Sequence, residues 1–184
     1  MERRGYEVEE RVVEIAVADY VARFRDGDRF LECCRQCPNY LKSWGCPPFD
    51  FDQLGYLSQW RNARLWAVKI TPHEQGLLIS AAQDFIRPER IRIERAQLEM
   101  ERQYGGRSFA YVGKCLYCDS CTRPQGEPCR HPELVRPSLE AFGFDIGKTL
   151  SELFGIELQW GRDGHMPPYL TLVSAFLHNH PTLP

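Results

Sequence analysis

Eight cysteines are the residues of this 184-residue chain with the clearest capacity for chemistry. They fall into two groups, and the first comprises Cys33, Cys34, Cys37 and Cys46, the second Cys115, Cys118, Cys121 and Cys129. The N-terminal segment shows no export signal, so we expect a cytoplasmic protein with reduced thiols. In such a compartment clustered cysteines bind metals or act in catalysis more often than they form disulfides. Two groups predict two metal sites, or two halves of one.

The spacing of the second group favours an iron–sulfur cluster. In Cys115-x2-Cys118-x2-Cys121 a looping backbone can bring each thiolate to a different iron of a [4Fe–4S] cluster, and Cys129 is the nearest candidate for the fourth ligand. Zinc takes four donors around one ion at about 2.3 Å, usually from two separated cysteine pairs, and three thiols within seven residues crowd a single ion. A structural zinc site remains the alternative.

The first group raises a question of ligand number. Cys34-x2-Cys37-x8-Cys46 offers three thiols, while Cys33 would point to the opposite side of an extended segment from its neighbour. Cys33 is therefore either an outlying fourth ligand or a small buried side chain. If it is no ligand, seven thiolates serve two clusters that would take eight. One iron then binds water, a histidine, a partner's side chain or a substrate, or the fourth ligands cross over between the loops.

Polar and aromatic residues near the cysteines have two interpretations each. The polar residues around Cys129 could tune a cluster's potential or hold an anion, and these are Arg130, His131, Arg136, Ser138 and Glu140. Alternatively, Ser138 caps a helix, Arg136 and Glu140 form an i, i+4 ion pair, and His131 is a cap or loop residue. The aromatic residues would shield the clusters from water or simply pack in the core, and these are Trp44, Phe49 and Phe51 for the first site and Tyr111 and Tyr117 for the second.

Local patterns predict an α+β fold, a small mixed sheet flanked by helices that carries the two cysteine-rich loops in a single domain of residues 1–184. Apolar spacing predicts a first helix over Val8–Phe24, ended by Gly27 and followed by a loop over Cys33–Phe51. The other predicted helices are 77–85, 88–104, 138–142 and 150–154, the last with a Thr149–Glu152 capping box; the predicted strands are 65–71, 108–112, 156–160 and 169–176.

Composition excludes several classes of partner. The net charge of -2 provides no field that would draw the chain onto nucleic acid or an anionic membrane. The longest apolar run, at 169–177, is far shorter than the roughly 20 residues of a membrane helix. We therefore expect a soluble protein that binds neither nucleic acid nor membranes.

Several long motifs resemble the family known as domain of unknown function 2284, which is described as metal-binding. The resemblance covers nearly the whole chain and rests on Cys34-Arg35-Gln36-Cys37-Pro38-Asn39-Tyr40, Trp44-Gly45-Cys46-Pro47-Pro48, Cys115-x2-Cys118-x2-Cys121-Thr122-Arg123-Pro124, Cys129-Arg130-His131-Pro132-Glu133, Arg136-Pro137-Ser138-Leu139-Glu140-Ala141 and Pro168-Tyr169-Leu170-Thr171-Leu172-Val173. It implies seven ligand cysteines, with Cys33 outside the pattern. It also implies a stiffer first loop here, because Leu41 stands where the family favours glycine. The resemblance implies no particular reaction.

The resulting hypothesis is a protein with two cysteine-ligated [4Fe–4S] clusters that relays electrons as an accessory to a redox protein partner. Cluster potentials span roughly -700 to +450 mV under control of ligands and surroundings, so a small protein can be tuned to its partner without a substrate pocket. Two alternatives are an enzyme that uses an open iron on a small-molecule substrate and a zinc-bound structural interaction module. No catalytic acid, base or nucleophile stands out in the sequence.

Overall fold

The computed structural model describes residues 5–109, 115–181 and 183. A four-stranded sheet of order β1-β2-β4-β3 is antiparallel throughout, so the predicted α+β class is confirmed, although the sequence predicted a mixed sheet. The elements are β1 Tyr6–Ala16, α1 Val17–Phe24, α2 Gly27–Arg35, α3 Gln53–Leu57, β2 Asn62–Pro72, α4 Ala82–Tyr104, β3 Arg107–Phe109, α5 Ile146–Thr149 and β4 Leu170–His178. Short 3₁₀ helices lie at Ile79–Ala81, Arg123–Gln125 and Glu140–Phe142, and a π-helix at Leu150–Phe154 continues α5.

Helices cover both faces of the sheet. On one face α1 and α5 pack over a core that includes Phe24, Leu65 and Ala175. On the other face α4 packs over a smaller core that includes Ile70, Ile93 and Leu172. Within the described part of the chain, none of the helices has the length and apolar character needed to cross a bilayer.

The helix predicted over Val8–Phe24 is wrong in its first half. Residues Tyr6–Ala16 form edge strand β1, which pairs with β2 from Tyr6 opposite Pro72 to Ala16 opposite Asn62. The β-branched valines and isoleucine of this segment suit a half-buried strand, and their spacing also matches a helix by coincidence. Only Val17–Phe24 is helical.

Helix α2 begins where the sequence predicted a helix end. Asp26 is its N-cap and accepts a hydrogen bond from the Arg29 amide at 3.2 Å, so Gly27 is the first helical residue. The helix continues through Cys33 and Cys34 to Arg35, and the irregular loop starts later than predicted. The first cysteines are therefore held by a helix terminus.

Among the other predictions, the strands at 65–71 and 169–176 are confirmed as parts of β2 and β4. The strand predicted at 156–160 is wrong, since these residues are irregular and belong to none of the strands of the sheet. The helix predicted at 88–104 is part of α4, which begins earlier, at Ala82, and contains Pro88. Of the helix predicted at 77–85, residues 82–85 belong to α4, 79–81 form a 3₁₀ helix, and 77 and 78 are not helical. Of the strand predicted at 108–112, residues 108 and 109 belong to β3, and 110–112 lie outside the described residues.

Two predicted helix caps have different outcomes. Ser138 accepts a hydrogen bond from the Ala141 amide at 3.2 Å, as predicted for a cap. The Thr149–Glu152 capping box is wrong because the helix starts earlier, with Asp145 as N-cap accepting from the Lys148 amide at 2.8 Å. Thr149 is buried instead, and its hydroxyl lies 3.1 Å from that of Tyr20.

Candidate metal centre

A first cavity is lined by four thiols, those of Cys34, Cys37, Cys46 and Cys115. Cys34 lies in the last turn of α2, and Cys37 follows one turn later, its amide donating to the Cys34 carbonyl at 3.0 Å. Cys33 is exposed on α2 and lines neither this cavity nor the next, so its interpretation as a buried side chain is wrong. The first cavity thus combines three thiols of the first group with one of the second.

Tight turns shape the first cysteine loop. The Tyr40 amide donates to the Cys37 carbonyl at 3.0 Å, and the Cys46 amide to the Ser43 carbonyl at 3.0 Å. A Cβ atom on Gly45 would lie 3.0 Å from the carbonyl oxygen of Arg136, so a glycine lets this loop lie directly against the segment that follows the second loop.

Leu41 has a φ of 61°, in the left-handed region that disfavours residues with a Cβ atom. Its side chain is about half exposed, so little burial is lost on truncation. We therefore expect Leu41→Gly to raise the free energy of unfolding by about 0.5 to 1 kcal/mol, the relief of strain exceeding the added freedom of the unfolded chain. Anaerobic urea denaturation followed by circular dichroism measures the change.

The matched control is Lys42→Gly, at the next exposed position, where φ is not positive. There the added freedom of the unfolded chain acts alone, and the variant is expected to be less stable than the wild type. A Leu41→Gly variant that loses as much stability as Lys42→Gly would contradict the strain interpretation.

A second cavity is lined by all four thiols of the second group, Cys115, Cys118, Cys121 and Cys129. The 3₁₀ helix Arg123–Gln125 lies between Cys121 and Cys129. The Thr122 hydroxyl donates to the Pro128 carbonyl at 2.8 Å, which brings the two sides of this turn together. The predicted ligands of the second group therefore border one space.

The two cavities adjoin. Cys115 and Tyr117 border both of them, together with Asn39, Ser43 and Val135. The structure thus brings all seven predicted ligand cysteines to two neighbouring cavities, with Cys115 at the boundary.

Arg123 connects the two cysteine loops. Its guanidinium donates to the carbonyl oxygens of Ser43 and Pro48, each at 2.6 Å, and to that of Cys46. It also lies over the ring of Trp44, 5.3 Å from the centroid. One side chain of the second loop therefore positions the backbone of the first.

The aromatic residues divide between the site and the core. Trp44 borders the second cavity rather than the first, and its indole nitrogen donates to the Glu127 carbonyl at 3.2 Å. Phe49 and Phe51 contact Phe142, with ring centroids 5.2 and 6.0 Å apart. Phe49 packs against the core, whereas Phe51 is 45% exposed, and neither borders the two cysteine cavities. Tyr117 lies between the cavities, and Tyr111 is outside the described residues.

Sequence reasoning missed the polar face of α4. Arg90, Glu94 and Gln97 follow one another at helical spacing and line the first cavity. Arg90 and Glu94 form an ion pair of 2.6 Å, with about nine-tenths of each side chain buried. The Tyr117 hydroxyl donates to Glu94 at 3.4 Å. A polar stripe along a helix that also buries apolar residues was the available signal.

The ion pair predicted between Arg136 and Glu140 is wrong. Arg136 instead donates two hydrogen bonds to Glu101 of α4, at 2.8 and 2.6 Å, and both side chains are largely buried. Burial raises the pKa of Glu101, but the hydrogen bonds from Arg136 and from the Ser108 amide outweigh it, so the pKa lies below its usual range. The partner of Arg136 comes from a distant element because the segment 135–136 packs against α4.

Glu140 lines the first cavity, and none of the arginines in the described part of the chain forms an ion pair with it. Its Oε2 atom is buried and has no hydrogen-bond partner among the residues the structure describes. Burial raises the pKa of this carboxyl to about 7, although the Ser138 hydroxyl and its own backbone amide act in the opposite direction. The first cavity therefore holds a carboxyl group in addition to thiols.

Burial also raises the pKa of three thiols that line the first cavity. It raises the pKa of Cys34 to about 11, with smaller contributions from the charges of Cys37, Cys46 and Glu140. It raises the pKa of Cys46 and of Cys115 as well. Thiolates are soft donors that suit iron–sulfur clusters and zinc, and a bound metal ion would stabilise the deprotonated form. The donor set fits a metal centre, and metal binding would release protons.

The thiols lie around the walls of the two cavities. Across residues 5–109, 115–181 and 183, no three His, Cys, Asp or Glu side chains form a group that could hold one metal ion. A family model described as a predicted metal-binding protein, DUF2284, matches residues 22–177. No curated protein and no solved structure matches the chain.

Proposed function

Because this chain belongs to the DUF2284 family of predicted metal-binding proteins, we propose that it binds two [4Fe–4S] clusters and relays electrons as an accessory to a redox enzyme. The observation that carries the proposal is the arrangement of seven thiols around two adjoining cavities, with Cys115 bordering both. Two clusters in these positions would be neighbours inside one small domain. Such an arrangement suits the passage of electrons from one cluster to the other.

The surroundings of the cavities support a redox role. Hydrogen bonds, charge and solvent exposure set the potential of an iron–sulfur cluster. The first cavity faces the buried Arg90–Glu94 ion pair, whereas the second lies beside a surface depression bordered by Cys118, Arg130 and His131. We place the contact with a redox partner at this outer face of the second loop, and the less exposed cluster behind it.

Metal analysis of anaerobically purified protein tests the proposal. We expect a brown protein with about eight irons and eight acid-labile sulfides per chain, and without zinc. Cys37→Ala should lose the first cluster and Cys121→Ala the second, each retaining about four irons. Cys33→Ala is the matched control and should retain all of the iron, because Cys33 lines neither cavity.

The relay itself is tested by redox titration followed by electron paramagnetic resonance. Both clusters are expected to change oxidation state reversibly within the range from about -700 to +450 mV. If the clusters do not change oxidation state reversibly, the proposed relay role is contradicted. A colourless protein that contains zinc and no labile sulfide would replace the whole proposal with a zinc-bound interaction module.

One observation favours a second candidate, an enzyme that acts on a small molecule at an open iron. Two buried polar atoms in the wall of the first cavity, Ser108 Oγ and Glu140 Oε2, have no partner among the described residues and could contact a ligand. This candidate predicts a spectrum that changes when the substrate is added. It also requires an iron whose fourth position is free.

A further inference from the structure

We propose that Glu140 is the eighth donor of the two clusters, a carboxylate ligand that completes the set formed in the first cavity by Cys34, Cys37 and Cys46. The inference rests on the proposed iron–sulfur function and deepens it. It would give the first cluster three thiolates and one carboxylate, and the second cluster four thiolates.

The assignment of Cys115 to the second cluster leaves the first one donor short. Cys115 continues the run with Cys118 and Cys121, and these three border the second cavity together with Cys129. Cys118, Cys121 and Cys129 border the second cavity only, and Cys34, Cys37 and Cys46 border the first only, so Cys115 is the one thiol shared between them.

The backbone holds Glu140 beside the helix that carries Cys34. The 3₁₀ helix Glu140–Phe142 packs against α2. The Asp26 amide donates to the Gly143 carbonyl at 2.8 Å, and the Arg25 side chain donates to the Phe142 carbonyl at 2.8 Å. These bonds connect the residues just before α2 to the end of the 3₁₀ helix, and Cys34 and Glu140 both line the first cavity.

The two arginines that line the first cavity form ion pairs with glutamates other than Glu140. Arg90 pairs with Glu94 and Arg136 with Glu101, at 2.6 Å in both cases. Glu140 Oε2 is left buried without a hydrogen bond from the described residues, which is costly for a carboxyl oxygen. A cationic metal centre between Glu140 and the three thiols would supply the missing partner.

The test uses the anaerobically purified protein labelled with ⁵⁷Fe, and three variants, Glu140→Cys, Glu140→Ala and Glu140→Gln. Mössbauer spectra of the wild type should contain a distinct component from about one iron in eight, because one iron has an oxygen donor. In Glu140→Cys this component should disappear while the full iron content is retained, which shows that the variant folds and binds both clusters.

Cyanide serves as a probe for an open iron. It should shift the electron paramagnetic resonance spectrum of reduced Glu140→Ala and Glu140→Gln but leave the wild type and Glu140→Cys unchanged. Glu133→Gln is the control, since Glu133 has a side chain about two-thirds exposed and lies outside the first cavity. It should behave as the wild type.

Two results would overturn the assignment. Cyanide could shift the wild-type spectrum as strongly as that of Glu140→Ala, or the distinct iron component could persist in Glu140→Cys. In either case a protein with about eight irons would still support the proposed function. A wild type without iron and sulfide would instead remove the proposed function, and this assignment with it.

Discussion

Arg136→Met is expected to lower the free energy of unfolding by about 3 kcal/mol, because it leaves the Glu101 carboxylate buried without its main partner. Only 7% of the Arg136 side chain and 12% of the Glu101 side chain are exposed, and two hydrogen bonds join them. Arg107 lies 3.8 Å from Glu101 and still compensates part of the carboxylate charge in the variant. The expected loss is therefore at the lower end of the range measured when a buried ion pair loses one partner. Anaerobic urea denaturation measures the change.

The pH dependence of the free energy of unfolding tests the same pair of Arg136 and Glu101. In the wild type the pKa of Glu101 is lower in the folded protein than in the unfolded chain. This carboxylate therefore stabilises the fold above its unfolded pKa, and the contribution is lost as the pH falls through the folded pKa. In Arg136→Met burial dominates and raises the folded pKa, so the loss of stability should shrink as the pH falls from 7 toward the usual range of a carboxyl group, roughly 4.3.

The control for this prediction is Arg102→Met on the same helix. Arg102 pairs with Glu99 at 2.7 Å, but at least half of each side chain is exposed, and such surface pairs contribute less than about 1 kcal/mol. Equal losses in the two variants, or a difference that does not vary with pH, would contradict the importance assigned to the buried pair.

Arg123→Ala is expected to lower the free energy of unfolding by about 2 kcal/mol, because three backbone carbonyls of the first loop lose a charged donor. These are the carbonyls of Ser43, Cys46 and Pro48. The change also removes the contact of the guanidinium with the Trp44 ring. Arg123 joins the loops together with the Trp44–Glu127 hydrogen bond. On the proposed iron–sulfur function we therefore further expect the variant to lose iron from the first site faster than the wild type when it is exposed to a chelator.

Arg130→Ala is the matched control, since Arg130 belongs to the same loop and makes one long hydrogen bond, 3.3 Å, to the Ser120 carbonyl. We expect its stability to stay within about 0.5 kcal/mol of the wild type. Arg123→Lys separates charge from geometry, because a lysine keeps the charge but does not present the planar fork of donors. Stability of Arg123→Lys equal to that of the wild type would show that the three carbonyls do not depend on the guanidinium.

Sequence patterns predicted those elements whose formation depends on residues close to one another in the sequence. The central strands β2 and β4 are rich in β-branched and apolar residues, and the segments predicted as strands lie within them. The first half of the predicted N-terminal helix is wrong because Val8, Val12 and Ile15 fit both a helix and a strand. Pairing with β2, whose residues lie 46 to 66 positions further along the chain, along the whole length of β1 made this segment a strand.

The sequence by itself determined which thiols are candidate donors, since the identity and spacing of seven cysteines are local chemical facts. Tertiary structure decided how those thiols are grouped. It placed Cys115 at the boundary of two cavities, turned Arg136 toward Glu101, and left Glu140 facing the thiols. Spacing along the chain constrains only neighbours within a turn or two, whereas burial and long-range packing set which distant side chains meet and which charges lose contact with water.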